Sequence, residues 1–182
     1  SRQVWYMDAE EASHTRQYKE DVRVLRKHGY EIVDGKDLSD DELARSLHLY
    51  NMLYLEKYSY YNPQFTLEFM KLARDEGILH MRVLKRDGRI DAVMGFFIRN
   101  GVMTQPLFGY DTALPLETGL YRLLTLITLQ EGLQRNLLVH ASGGVGKFKK
   151  VRGGKSVIEY NAVFTKHLPV RRQRPWKLIK LI

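Results

Sequence analysis

Residues 78–110 read ILHMRVLKRDGRIDAVMGFFIRNGVMTQPLFGY. Two apolar, partly β-branched runs, Ile78 to Arg86 and Arg89 to Ile98, meet at Asp87-Gly88. A two-residue hairpin turn needs positive φ at both central positions, which Asp-Gly and Asn-Gly adopt at little cost. The second run leads through Asn100-Gly101 into a third, Val102 to about Tyr110. The stretch therefore predicts three antiparallel strands in a meander, and the rest of the chain is arranged around it.

Upstream, Asp8 to His28 reads as one amphipathic helix, with Tyr18, Val22 and Leu25 at helical spacing and Gly29 as its C-terminal stop. Tyr30 to Val33 is a short strand ending at Asp34-Gly35. Ser39-Asp40-Asp41-Glu42 is a capping box that opens a long helix to about Tyr58, with Leu43, Leu47, Tyr50 and Tyr54 on one stripe. Asn62-Pro63 breaks the chain before a helix from Thr66 to Glu76, which ends at Gly77.

Downstream, a helix from Leu120 to Gln134 precedes a compact apolar strand, Leu137 to Ala141. An irregular basic stretch, Ser142 to Lys155, then leads to a long final strand, Ser156 to His167, and a basic-apolar tail, Val170 to Ile182. A meander followed by a strand–helix–strand crossover predicts an α/β (α+β) fold: a mixed, mostly antiparallel sheet with helices on both faces. No internal repeat interrupts it, so residues 1–182 read as a single domain.

Composition narrows the chemistry. The 182 residues contain no cysteine, which excludes disulfides, a thiol nucleophile and thiolate metal sites, and sits comfortably with a reducing cytoplasm. Lys and Arg total 29 against 21 acidic residues, a net charge of +8 that favours anionic partners or simply keeps the surface soluble. No apolar run reaches the ~20 residues a membrane span needs; Leu120 to Leu129 reads as a buried helix face. His14, His28, His48, His80, His140 and His167 lie on separate elements, so no metal site is expected.

A series of motifs carries a further signal: Gly109-Tyr110-Asp111-Thr112, Gly119-Leu120-Tyr121-Arg122, His140-Ala141-Ser142-Gly143, Phe148-Lys149, Arg152-Gly153 and Glu159-Tyr160-Asn161. With the order of elements, this series resembles the GNAT acyltransferase superfamily, in the branch akin to Fem-type peptidyl transferases, over roughly Asp37 to Pro169. Fem-type ligases commonly carry a glycine, a Phe/Tyr-Lys and a basic-glycine pair after the penultimate strand. The resemblance implies acyl transfer to an amine from acyl-CoA or another donor, acyl carrier protein or aminoacyl-tRNA among them. It also implies a donor site between the third meander strand and the penultimate strand, near Phe108 and Gly109. Fem-type proteins have two GNAT-like halves, and a chain that starts at Ser1 without an initiator methionine fits one half of a longer protein as well as a whole domain. The loop Asp111 to Gly119 departs from the usual CoA pyrophosphate loop: Glu117 is acidic and Pro115 has no N–H.

Each candidate residue has two readings. Thr118 and Gly119 open the crossover helix, where free N–H groups favour an anion, or Thr118 is simply a cap. Gly143, Gly144, Lys147, Lys149 and Arg152 sit in the densest cationic patch, read as an anion site or as a solvated loop. His140 is a candidate general base or a structural histidine, and Tyr160 a candidate acid or a packing aromatic. Tyr58, Tyr60 and Tyr61 line an acceptor pocket or pack a turn. The cationic-aromatic run from Arg171 to Lys177 suits nucleic acid or a membrane interface, or a tail that is docked or solvated. Two alternatives to an enzyme stand: a non-catalytic GNAT-like half that binds tRNA, carrier protein or a partner domain, and an unrelated α/β ligand-binding domain.

Overall fold

The structure, a computed structural model, describes residues 1–160 and 162–179. Its elements in chain order are β1 (Arg2–Asp8), α1 (Ala9–Ser13), α2 (Arg16–His28), β2 (Glu31–Asp34), α3 (Asp40–Asn51), α4 (Leu67–Asp75), β3 (His80–Arg86) and β4 (Arg89–Arg99). They continue with β5 (Val102–Tyr110), α5 (Leu120–Arg135), β6 (Leu138–His140), α6 (Gly146–Lys150), β7 (Lys155–Glu159) and α7 (Val170–Ile179). A wider π-helical segment, Met52–Tyr58, extends α3.

Among the described residues the strands form one seven-stranded sheet in the order β2-β3-β4-β5-β6-β1-β7. Only the β5–β6 pair is parallel. Asp87, Gly88, Asn100 and Gly101 have φ of 51°, 77°, 51° and 75°, so both hairpin turns take the left-handed geometry expected of them. Ala92, Met94 and Phe96 face a core shared with Leu123, Leu124 and Ile127 of α5. Ile90 and Val93 face a second core with Leu43, Leu49 and Met70 of α3 and α4. Because both faces of β4 are buried, its sequence is nearly continuous in apolar residues.

The capping box is formed: the Glu42 N–H donates to Ser39 Oγ at 3.2 Å, and the Ser39 N–H to Glu42 Oε2 at 2.9 Å. Four sequence readings need correction. Arg2–Asp8 is a strand, which hydrophobic periodicity missed because Trp5 and Tyr6 blur its alternation. The expected Asp8–His28 helix is two helices, since Asp8 caps the first and the Thr15 side chain starts the second. The basic segment contains the short α6. The last strand, expected from Ser156 to His167, stops at Glu159; it pairs with β1, so the N-terminus lies between the two final strands. Asn161 and residues 180–182, the end of the expected tail, lie outside the described residues.

Candidate active site

β5 and β6 are paired only from Val102–Leu138 through Thr104–His140. β6 then ends, and β5 continues from Gln105 to Tyr110 bonded to β4 alone. Backbone polar groups of a strand alternate between its two sides, so the N–H and C=O groups of this stretch that point away from β4 have no strand partner, Pro106 supplying no N–H. The gap is a cavity of about 130 Å³. Gln105 and Phe108 line it from β5, Tyr121, Thr125 and Thr128 from α5, and Tyr54 from the π-helical segment. The far wall is His140 to Gly143 with Phe148 and Lys149.

That far wall is pinned to β1. The Ala141 N–H donates to Trp5 O at 2.8 Å and the Trp5 N–H to Ser142 O at 3.0 Å. A Cβ on Gly146 would sit 2.7 Å from the Trp5 indole, so only glycine lets α6 lie on that ring. Ser142, Gly144 and Val145 have φ of 57°, 71° and 40°, a tight left-handed path rarely taken by Val. The turn brings Lys149 inward, 5% exposed, where its Nζ donates to Gly143 O at 2.7 Å and Ser142 O at 3.2 Å. Among the described residues no carboxylate is within ion-pair distance of it. Burial without a counter-ion disfavours the ammonium and lowers its pKa to about 8.

Arg152 is 4% exposed. Its Nε donates to Asp21 Oδ2 at 2.9 Å and its guanidinium carbon stands 3.6 Å over the Phe148 ring. Asp21 also accepts from Arg122 Nε at 2.8 Å, so one carboxylate serves two cations. Tyr121 packs edge-on against Phe108 and Phe148 at centroid distances of 5.4 and 4.9 Å. Burial pushes the Tyr121 phenol up to about 12 and raises that of Tyr54, so both hydroxyls keep their protons at neutral pH.

The structure brings some expected residues together and disperses others. Phe108, His140, Gly143 and Lys149 line the cavity. His140 Nε2 is 3.7 Å from Glu159 Oε1, and that carboxylate is paired with Arg2. Gly144 and Lys147 are exposed on the turn outside it. Arg152 faces Asp21 instead of solvent. Gly109 serves packing: a Cβ there would lie 2.5 Å from the Tyr50 backbone nitrogen, so α3 crosses β5 directly over it.

Thr118 does not cap α5; Gly119 does, at φ 68°. The N–H groups of Thr118 and Gly119 are bonded to Pro115 O and Leu116 O. The first-turn N–H groups of Leu120, Tyr121 and Arg122 therefore remain, in a second cleft that Lys57 also lines. Tyr160 is 77% exposed beyond β7, with β1 and β6 between that edge strand and β5, and does not line the cavity. Tyr58, Tyr60 and Tyr61 are exposed, whereas Tyr54, one turn earlier, lines it. Among the described residues no group of acidic or histidine side chains is placed to hold a metal, and no helix is long and apolar enough to cross a membrane.

Asp21 escaped the sequence reading because a lone Asp on an exposed-looking helix has no local sign of its partners. Tyr121 and Phe148 were within reach, since both fall inside the motif series.

No protein-family profile matches the chain, and no curated protein matches its sequence. Solved structures match its fold. L-PGS from Bacillus licheniformis superposes with a TM-score of 0.65 at 14% identity, over 85% of this chain and 57% of its own. The C-terminal domain assigned to a lysylphosphatidylglycerol synthetase of Agrobacterium fabrum gives 0.61 at 13%, over 85% and 57%. A conserved protein from Bacteroides thetaiotaomicron gives 0.56 at 12%, over 83% and 54%. The chain thus spans a little over half the length of these structures. The likeness shows the fold alone: a mixed, mostly antiparallel sheet with helices on both faces.

Proposed function

We propose that the chain is an acyltransferase domain that moves an acyl group from a thioester or ester donor to an amine. The observation that carries this reading is the parting of β5 and β6 beside a buried, unneutralised Lys149. The donor carbonyl enters the gap with its oxygen toward the unpaired N–H groups of β5, while the first-turn N–H groups of α5 and Lys57 take the phosphate of an acyl-CoA or a comparable carrier.

An acceptor amine adds to the carbonyl carbon, and negative charge develops on the carbonyl oxygen. Strand N–H groups and the Lys149 ammonium stabilise that charge without a reactive side chain. His140, in the cavity wall, takes the proton from the attacking nitrogen, directly or through water. The carbonyl re-forms as the C–S or C–O bond breaks. The products are an amide and a thiol or alcohol, which receives the proton.

The test is a panel of acyl-CoA, acyl carrier protein and aminoacyl-tRNA donors with amine acceptors. Because lysylphosphatidylglycerol synthetase names one structural neighbour, phosphatidylglycerol, which offers a hydroxyl and no amine, is included as a contrasting acceptor. Consumption of a donor, lost in Lys149→Ala and His140→Ala, supports the reading. No donor consumed and none raising the melting temperature sinks an autonomous catalyst. Salt-steep tRNA binding alone supports the non-catalytic half.

A further inference from the structure

We infer that the cavity between β5 and β6 accepts an uncharged acyl group and rejects one that carries an ammonium, an inference that rests on the acyl-transfer reading and specifies its substrate class. Among the described residues the lining contains no carboxylate. Its one fixed charge is Lys149, held on two carbonyl oxygens without an acidic partner. Arg152 stands directly behind Phe148, and the Asp21 that balances it is shared with Arg122, which leaves this wall with excess positive charge.

The aromatic lining offers a cation little. One face of Phe148 already carries the Arg152 guanidinium, one face of Tyr54 stacks on Tyr50 at 5.0 Å, and Tyr121 packs against both phenylalanines. What remains for a ligand is neutral polarity: the Tyr54 and Tyr121 hydroxyls, the Thr125 oxygen, whose proton goes to Tyr121 O, and the part of the Gln105 amide not bonded to Thr128 Oγ1. An ammonium entering here would lose its hydration with no counter-charge, next to a like charge.

The other titratable groups facing Lys149 across the cavity are His140, with Glu159 behind it, and the two tyrosines. Lys149 discharges through about pH 8, whereas an alkylammonium ligand stays charged to ~10.4. Exclusion of a cation therefore weakens as pH rises from about 7 to 9.

Pentanamide and 4-aminobutanamide are near-isosteric probes that differ by a methyl against an ammonium. Their binding is read from the backbone amide shifts of Thr125, Thr128 and Gly143 in the ¹⁵N-labelled chain. Expected at pH 7 is saturable binding of pentanamide, with 4-aminobutanamide at least tenfold weaker and the ratio narrowing at pH 9. Thr125→Asp, which adds a carboxylate to the partly exposed first half of α5, should reverse the preference. Equal affinity of the two probes at pH 7 overturns the inference, as does the absence of any shift with either. A chain that binds in the expected pattern and transfers no acyl group keeps the selectivity and loses the catalytic reading.

Discussion

The Arg152 guanidinium meets the Asp21 carboxylate across 131 residues of sequence, Nε to Oδ2 at 2.9 Å and Nη2 to Oδ1 at 3.2 Å. The contact ties α2 to the end of α6 and so fixes the wall that carries Phe148 and Lys149. Asp21→Asn leaves Arg152 buried without a counter-charge. Loss of one partner from such a pair costs ~3–5 kcal/mol, so urea denaturation should show a fall of that order. A change below about 0.5 kcal/mol, the range of ordinary surface substitutions, would mean the pair is not formed in solution.

Lys149 sets a pH dependence. Its folded pKa, about 8, lies below the ~10.4 of an unfolded lysine, so the unfolded chain binds more protons between those values. Stability from this residue is therefore complete above the unfolded value and lost as pH falls through about 8. Compared with Lys149→Met, the wild type should gain about 2 kcal/mol between about pH 7 and 9.5. Parallel denaturation curves at both pH values check it, and a gap that does not change with pH refutes the buried ammonium.

Gly109→Ala tests the crossing of α3 over β5. The new Cβ would stand 2.5 Å from the Tyr50 nitrogen and 2.6 Å from the Leu49 carbonyl carbon, and backbone cannot swing aside as a side chain can. Overpacking of this kind costs ~1–3 kcal/mol or more. The midpoint of chemical unfolding should drop accordingly, and an unchanged midpoint would show that the two elements stand further apart.

For the transfer reaction, His140→Gln should lower turnover by about 10²–10⁴-fold, the usual contribution of a positioned base. Tyr160→Phe should leave turnover within about twofold, since its ring is exposed outside the cavity. Steady-state rates with whichever donor proves active decide both. A large loss in Tyr160→Phe with His140→Gln silent would reverse the assignment.

Much of this fold was legible in local sequence. Asp87-Gly88 and Asn100-Gly101 specify tight turns by backbone conformation alone, the capping box at Ser39 satisfies its own helix end, and the apolar run through β4 declares burial on both faces. Each signal acts within a few residues. The motif series likewise marked Phe148 and Lys149 before either could be placed.

What only the tertiary structure decided is how distant segments divide the work of one wall. The sequence shows Lys147, Lys149 and Arg152 as a single cationic patch. The fold exposes the first, buries the second on two carbonyls, and commits the third to an aspartate near the other end of the chain. A chain's own neighbours dictate turns and caps, whereas burial and ion pairing depend on which strand lies alongside. Here that strand is β1, inserted between β6 and β7, and no local pattern announces it.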